Sequence, residues 1–167
     1  MTSESTPNNK LIFGIFSVGI PALILFCVLL FATVSQHRTY RPRYVTDAQD
    51  TELLFSILVQ PYEDGYVPFI GWSFFPGETI SLFRTHALLY NTQTGSFMKL
   101  PTLMMLRPDV TEHFSDSGTN YDRSGWRTRI NTNRLTHALE YYEIAILYRN
   151  DGNYVVVRTG VFLARIT

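Results

Sequence analysis

The sequence has very little cysteine and no surplus of either charge. Its 167 residues include one cysteine, Cys27, and 14 basic residues stand against 14 acidic ones. A single thiol excludes an internal disulfide and a cysteine-built zinc cage. Balanced charge excludes nucleic acid as an expected partner, because that class of partner is recruited by a basic surplus. Charged residues make up 17% of the chain, against about 25% in ordinary soluble domains.

The recognisable motifs of catalysis and metal binding are also missing. The sequence contains no G-x-S-x-G elbow, no P-loop and no G-x-G-x-x-G turn. Its four histidines, His37, His86, His113 and His137, do not occur at H-E-x-x-H or H-x-H spacing. We therefore predict no catalytic residue, no metal site and no cofactor. An enzyme with a site that no motif reveals stays open as an alternative.

A long apolar segment lies near the N-terminus. Residues 11–34 contain no Asp, Glu, Lys, Arg or His, and a helix of that length spans roughly 36 Å, more than the ~30 Å hydrocarbon core of a bilayer. The segment predicts a single-pass transmembrane helix, with the lipid bilayer as a partner. A cleaved signal peptide is the alternative, although its apolar region is normally about 7–15 residues.

Two arguments bear on which side of the membrane the rest of the chain lies, and they point in opposite directions. Arg38, Arg41 and Arg43 follow the segment, and the positive-inside rule places such a flank in the cytoplasm. Short N-terminal tails, however, usually stay inside while the domain that follows is translocated. The prediction is an extracytoplasmic domain.

The remaining organisation is a tail at residues 1–10, a polar stalk at 35–50 and one folded domain at 51–167. About seven short strand-like segments occur in that domain, which indicates a mostly β fold and a β-sandwich. Pro101 breaks one of them, and Asp151-Gly152 between the last two is a hairpin signal. The segments are residues 53–60, 67–75, 79–90, 97–106, 125–130, 141–148 and 154–163.

One structural loop is predicted at residues 107–114. Asp109 is placed to cap a short helix, with Glu112 three residues later completing a capping box. Arg107 is expected to pair with Asp109, and Phe114 to pack on the core. Asp116, Asp122 and His113 follow in the same loop. A calcium site or an acid–base pair is the alternative to caps and turns, but the D-x-[DN]-x-[DN]-G calcium motif is absent.

Three residues are the candidate ligand-binding set. Arg127 and Arg129 alternate with Trp126, Thr128 and Ile130, so a strand there would place both arginines on one face. They could receive an anionic glycan, a lipid headgroup or a protein. Trp72 is the third candidate, because an exposed indole can stack on a sugar. The competing interpretation is a solvated arginine face, with Trp72 and Trp126 in the core.

Four short pieces occur in a recognisable order along the domain. They are Gly71-Trp72-Ser73, Arg107-Pro108-Asp109-Val110 with Phe114, Ser124-Gly125-Trp126, and Tyr142-Glu143-Ile144-Ala145-Ile146. This order resembles a family of bacterial immunoglobulin-like β-sandwich modules found beside glycosyltransferases and other cell-envelope polysaccharide proteins. The resemblance covers roughly residues 53–163 and implies an accessory domain without an agreed reaction.

Together these features predict a membrane-anchored, non-enzymatic protein whose β-sandwich binds or positions a protein or glycan of the cell envelope. Two alternatives stay open. One is a small accessory subunit of a multi-protein membrane complex, and the other is the enzyme with an unrecognised site.

Overall fold

The computed structural model of the chain describes residues 19–30, 38–82 and 84–163. Contacts divide the chain into two units, Met1–Gln36 and His37–Thr167. The described part of the first unit is one helix, α1, at residues 19–30, where Cys27 is exposed and free.

The membrane prediction is wrong. In the described parts of the chain, no helix combines the length and the apolar character needed to cross a bilayer. Helix α1 rises only about 18 Å, because each residue contributes 1.5 Å, whereas a span needs ~30 Å. This finding overturns the predicted transmembrane helix, the predicted single-pass membrane localisation and the transmembrane part of the predicted fold class. Residues 11–18 and 31–34 of the segment, the tail at 1–10 and residues 35–37 lie outside the described residues.

In the described residues of the second unit, ten strands form two sheets, so this unit is mostly β as predicted but has more than seven strands. The sheet orders are β1-β6-β5-β9-β10-β2 and β3-β4-β8-β7. The strands are β1 (Arg38–Tyr40), β2 (Val45–Asp47), β3 (Leu54–Val59), β4 (Tyr66–Phe74), β5 (His86–Asn91), β6 (Ser96–Lys99), β7 (Thr102–Met105), β8 (Gly125–Asn131), β9 (Tyr142–Asn150) and β10 (Asn153–Phe162).

The connectivity of the sheets is that of a Greek-key sandwich. Without β1, β2 and β6, the remaining seven strands are ordered first-second-fifth-fourth in one sheet and third-sixth-seventh in the other. This is the ABED and CFG order of immunoglobulin constant-type domains. The strands β1, β2 and β6 extend only the six-stranded sheet.

The segment predicted as a stalk contains the two edge strands of the six-stranded sheet. β1 pairs antiparallel with β6, and β2 pairs parallel with β10. Each has three residues, which is too short for an alternating pattern to be visible in the sequence. The edges of this sheet are therefore built by chain that precedes residue 51.

In the segment predicted as a strand at residues 79–90, the described residues before His86 are not part of a sheet. Asn150, which is fully buried at the end of β9, holds residues 78–82 as a loop. Its Oδ1 accepts hydrogen bonds from the N–H groups of Ser81 and Leu82, both at 3.0 Å. Its Nδ2 donates to Oε1 of Glu78 at 2.6 Å and to the carbonyl of Thr79 at 2.9 Å. Because the Asn150 side chain forms hydrogen bonds with the backbone of this loop, the loop does not need a neighbouring strand to supply them.

Two turn predictions are confirmed. The chain leaves the six-stranded sheet after β6 and enters the four-stranded sheet at β7, so Pro101 lies where the ladder is broken. Asp151 and Gly152 have φ values of 39° and 94° and join β9 to β10. Positive φ at both central residues is the requirement of the tight hairpin turn that an Asp-Gly pair favours.

The main core lies between the two sheets. It includes Phe69, Leu89, Ile144, Ile146 and Trp126, which are at most 1% exposed. Two glycine–tryptophan dipeptides pair crosswise in the four-stranded sheet, with Gly71 opposite Trp126 and Trp72 opposite Gly125. Since alternate residues face opposite sides of a sheet, Trp126 points into the core and Trp72 points away from it.

Candidate binding face on the four-stranded sheet

The four-stranded sheet presents a basic and apolar surface on the side away from the core. We call this surface the open face and define it by Leu58 of β3, Pro68 and Ile70 of β4, Arg127 and Arg129 of β8, and Leu103 of β7. Along β8, Trp126, Thr128 and Ile130 are buried while Arg127 and Arg129 are exposed. The alternation predicted from the sequence is thus confirmed, because a buried inner face fixes which residues point outward.

Arg127 lies in the middle of an apolar row that runs across the sheet. Ile70 is its neighbour on β4 and Leu103 its neighbour on β7, while Leu58 is opposite Ile70 on β3. Leu58 and Leu103 are each 62% exposed. Two exposed leucines therefore stand at the two edges of the sheet, with an arginine between them.

Arg129 belongs to the next row and is held by an aromatic ring. Its neighbour on β4 is Pro68, and its guanidinium carbon lies 4.7 Å from the centroid of the Tyr66 ring. Such a cation–π contact restricts the side chain and contributes about 0.5–1 kcal/mol at an exposed site. Arg129 is therefore partly oriented, whereas Arg127 forms no ion pair with another residue of the described structure.

A groove of about 510 Å³ lies on the open face. None of the described residues that line it is acidic, and most are apolar. Its aromatic lining residue, Phe69, is only 1% exposed. The residues that give the groove its character are Gln60, Pro68, Ile70, Leu103, Arg127 and Arg129.

Trp72 points to the same side of the sheet but does not line the groove. Its ring stacks on Phe74 at a centroid distance of 5.4 Å and meets Phe114 edge-on at 5.6 Å. These rings belong to a small apolar cluster with Ile80 and Val110. The indole is thereby half-buried by the loop that follows β7, and Trp126 is fully buried in the main core.

The predicted structural loop forms, but its cap does not. The short helix α2 (Pro108–His113) has Arg107 at the N-cap position and Pro108 in its first turn, with no side-chain cap hydrogen bond. The prediction of Asp109 as the N-cap, with Glu112 completing a capping box, is wrong. Pro108 occupies the first helical position, so the helix starts one residue before Asp109. Glu112 is exposed.

Asp109 instead pairs with Arg107, as predicted. Nε of Arg107 donates to Oδ1 at 2.8 Å and Nη2 donates to Oδ2 at 2.6 Å. The hydrogen bond from Arg107 is the largest influence on Asp109 and lowers the pKa of its carboxyl. Phe114 packs on the Trp72 and Phe74 rings, so the loop is fastened at both ends.

Asp122, another acidic residue of this loop, joins the beginning of the loop to its end. Oδ1 of Asp122 accepts from Oγ1 of Thr111 at 2.6 Å, and the backbone carbonyl of Asp122 accepts from the N–H of Arg107 at 2.7 Å. Across the residues that the structure describes, no group of three or more His, Cys, Asp or Glu side chains is placed to hold a metal ion.

Sequence reasoning missed a charged network on the six-stranded sheet. Glu143 of β9 is 1% exposed, and its carboxylate accepts from Nη2 and Nε of Arg158 at 2.8 and 3.1 Å and from the N–H of Gly160 at 2.9 Å. Arg158 also lies 3.4 Å from Asp47 of β2 and over the Tyr90 ring. The sequence signal for this network was a charged residue among apolar ones in each strand, namely Glu143 in β9 and Arg158 in β10.

The charged groups of this network are paired with one another and with the backbone. Each carboxylate oxygen of Glu143 has a donor inside the protein, so burial of the charge is compensated. The hydrogen bond to Glu143 raises the pKa of Arg158 above its ordinary value. The cluster joins β2, β9 and β10 and is a structural feature of the sheet.

No protein-family model, curated protein or solved structure is significantly similar to this chain. The resemblance to immunoglobulin-like envelope modules therefore stays a prediction.

Proposed function

We propose that the chain is a non-enzymatic binding module and that the open face binds a protein partner. The observation that carries this proposal is the placement of Arg127 and Arg129 among exposed aliphatic side chains, in a groove whose described lining residues include no carboxylate. Arginine surrounded by apolar contacts is the typical centre of a protein interface, because water exclusion strengthens its pairing with a carboxylate. The resemblance described above adds the expectation that the partner belongs to the cell envelope.

A protein fits this groove better than a glycan does. The lining is mostly apolar, and sugar rings offer mainly hydroxyl groups to such a surface. The indole of Trp72, which would be the stacking platform for a sugar, is engaged by Phe74 and Phe114. Leu58 and Leu103 instead offer contacts that the apolar side chains of a protein would cover.

The non-enzymatic part of the proposal is supported by how the acidic side chains are used. Asp109 is paired with Arg107, Asp122 with Thr111, and Glu143 with Arg158. The first two contacts lie within the loop that follows β7, and the third joins β9 to β10. A carboxylate committed in this way has its accepting oxygens occupied, which disfavours general acid–base work.

Site-specific cross-linking tests the proposal. A photo-activated cross-linking residue is placed at Leu58 or Leu103 of the full-length chain in its native cells, with Val45 of β2 as the control position. We expect a protein adduct from the two open-face positions and not from Val45. The adduct is identified by mass spectrometry, and its protein is purified for affinity measurements.

The charge of the face is then reversed in matched pairs. The R127E/R129E variant should bind the purified partner at least about 10-fold more weakly, a loss of ~1.4 kcal/mol. The R41E/R149E variant carries the same change in net charge at exposed positions outside the open face and should bind normally. Equal weakening by both pairs, a glycan adduct, or adducts at Val45 alone would contradict the proposal.

A further inference from the structure

The shape of the open face points to the kind of protein segment that it binds. Leu58 and Leu103 lie in one row on the two edge strands, with Ile70 and Arg127 between them. Neighbouring strands are about 4.8 Å apart, so the two exposed leucines stand roughly 14 Å apart. We call the surface between these two leucines the trough; it contains Pro68 and Ile70 of β4 and the two arginines aligned along β8.

The two central strands offer little backbone to a ligand that lies in this trough. β4 at residues 69–72 and β8 at residues 125–128 are paired with strands on both sides, so their N–H and C=O groups there are used in the ladders. A segment lying across them must satisfy its own backbone polar groups, since burying them unpaired costs about 1–3 kcal/mol each. A helix meets this condition internally, whereas an extended segment does not.

The dimensions of the trough also suit a helix. An α-helix with its side chains is about 10–12 Å wide, which is similar to the width of the four-stranded sheet, whose edge-strand backbones are roughly 14 Å apart. Arg127 and Arg129 are two residues apart on one strand, so they are separated by about 6.6 Å along it. Carboxylates at positions i and i+4 of a helix lie on one face and rise about 6.0 Å.

We infer that the open face binds an amphipathic α-helix of a partner protein, with two carboxylates at i and i+4 paired to Arg127 and Arg129. Apolar side chains on the same helix face contact Leu58, Ile70 and Leu103. The inference rests on the proposed function, because it assumes that the open face is the binding site. It adds the conformation of the bound segment and the spacing of its charges.

Two synthetic helical peptides of about 20 residues and identical composition provide the probe. Both are stapled on the outer face to equalise helix content, and they differ only in whether two glutamates stand at i and i+4 or at i and i+2. Binding to the full-length chain is followed by fluorescence anisotropy. We expect the i, i+4 peptide to bind at least about 10-fold more tightly, because its carboxylates share one face of the helix.

Variants of the chain decide whether the arginines are responsible. The R127Q/R129Q variant should bind the two peptides with Kd values within about twofold of each other, whereas R41Q/R149Q should keep the preference. An unstapled i, i+4 peptide with proline at its centre should lose binding, because proline breaks the helix. Heparin oligosaccharide is included as a competing anion without a helix.

Several results would overturn the inference and leave the proposed function intact, provided that cross-linking at Leu58 or Leu103 yields a protein adduct. They are equal affinity for the two stapled peptides, no binding of either up to about 1 mM, or equal binding of the proline peptide. Tighter binding of heparin than of either peptide through the same arginines would overturn both. Cross-linking without a protein adduct would remove the proposed function itself.

Discussion

At the scale of single residues, the pairing of Gly71 with Trp126 is a tightly constrained contact. A Cβ atom placed on Gly71 would lie 2.7 Å from the carbonyl oxygen of Ser56 and 2.8 Å from Cε2 of Trp126. Both distances are shorter than real Cβ contacts. We therefore expect Gly71→Ala to lower the free energy of unfolding by about 1–3 kcal/mol through overpacking, as measured by urea denaturation.

A double-mutant cycle isolates the indole as the cause. Trp126→Phe removes the larger ring, so Gly71→Ala should cost less in that background than in the wild type. The difference should be about 0.5–3 kcal/mol, because the two residues are in contact. Strict additivity of the two substitutions would contradict this account and would leave the Ser56 carbonyl as the only obstacle.

The residues of the open face show what a single strand reveals in sequence. The alternation of Arg127 and Arg129 with buried residues was visible, because one face of β8 is covered and the other is not. The sequence did not reveal that Leu58, Ile70 and Leu103 lie beside these arginines on the same face of the sheet. This placement depends on the register of four strands, and β3 and β8 are separated by more than 60 positions.

At the scale of elements, the parallel pairing of β2 with β10 depends on a charge network. Glu143→Gln leaves Arg158 without its buried carboxylate partner, since the hydrogen bonds at 2.8 and 3.1 Å lose their charge. We expect the free energy of unfolding to fall by about 1–3 kcal/mol. Amide hydrogen exchange of the N–H groups through which β2 bonds to β10 should become faster, because β2 loses its fastening to the sheet.

Asp47→Asn is the matched control for this network. Its carboxylate lies 3.4 Å from Arg158 and is half-exposed, so the substitution should cost less than about 1 kcal/mol. An equal loss in both variants would mean that the exposed pair contributes as much to stability as the buried one. Unchanged exchange in Glu143→Gln would mean that the backbone ladder alone is sufficient.

The elements also mark where local patterns mislead. Apolar residues 11–34 suggested a membrane helix, yet the described helix α1 covers only residues 19–30. The long hairpin of β9 and β10 was predictable because an Asp-Gly turn and two apolar runs agree. The edge strands β1 and β2 were not, because three residues carry no periodicity and their pairing partners lie elsewhere in the chain.

At the scale of the whole molecule, the sandwich buries groups that the unfolded chain exposes to water, and this makes stability depend on pH. His86 of β5 is the clearest case. Burial, with repulsion from Lys99 and then Arg84, lowers its pKa to about 4, whereas the imidazole in an unfolded chain titrates near about 6.5. Its Nδ1 atom is buried and has no hydrogen-bond partner among the described residues.

The sign of the effect follows from proton binding. Between pH 6.5 and about 4 the unfolded chain holds a proton on this histidine and the folded chain does not, so acidification favours unfolding. Urea unfolding of the full-length chain should therefore show a steeper loss of stability over this range than His86→Gln shows. His113→Gln, on the exposed end of α2, should follow the wild type. If His86→Gln and the wild type lose stability in parallel, the acid sensitivity of the fold does not come from His86.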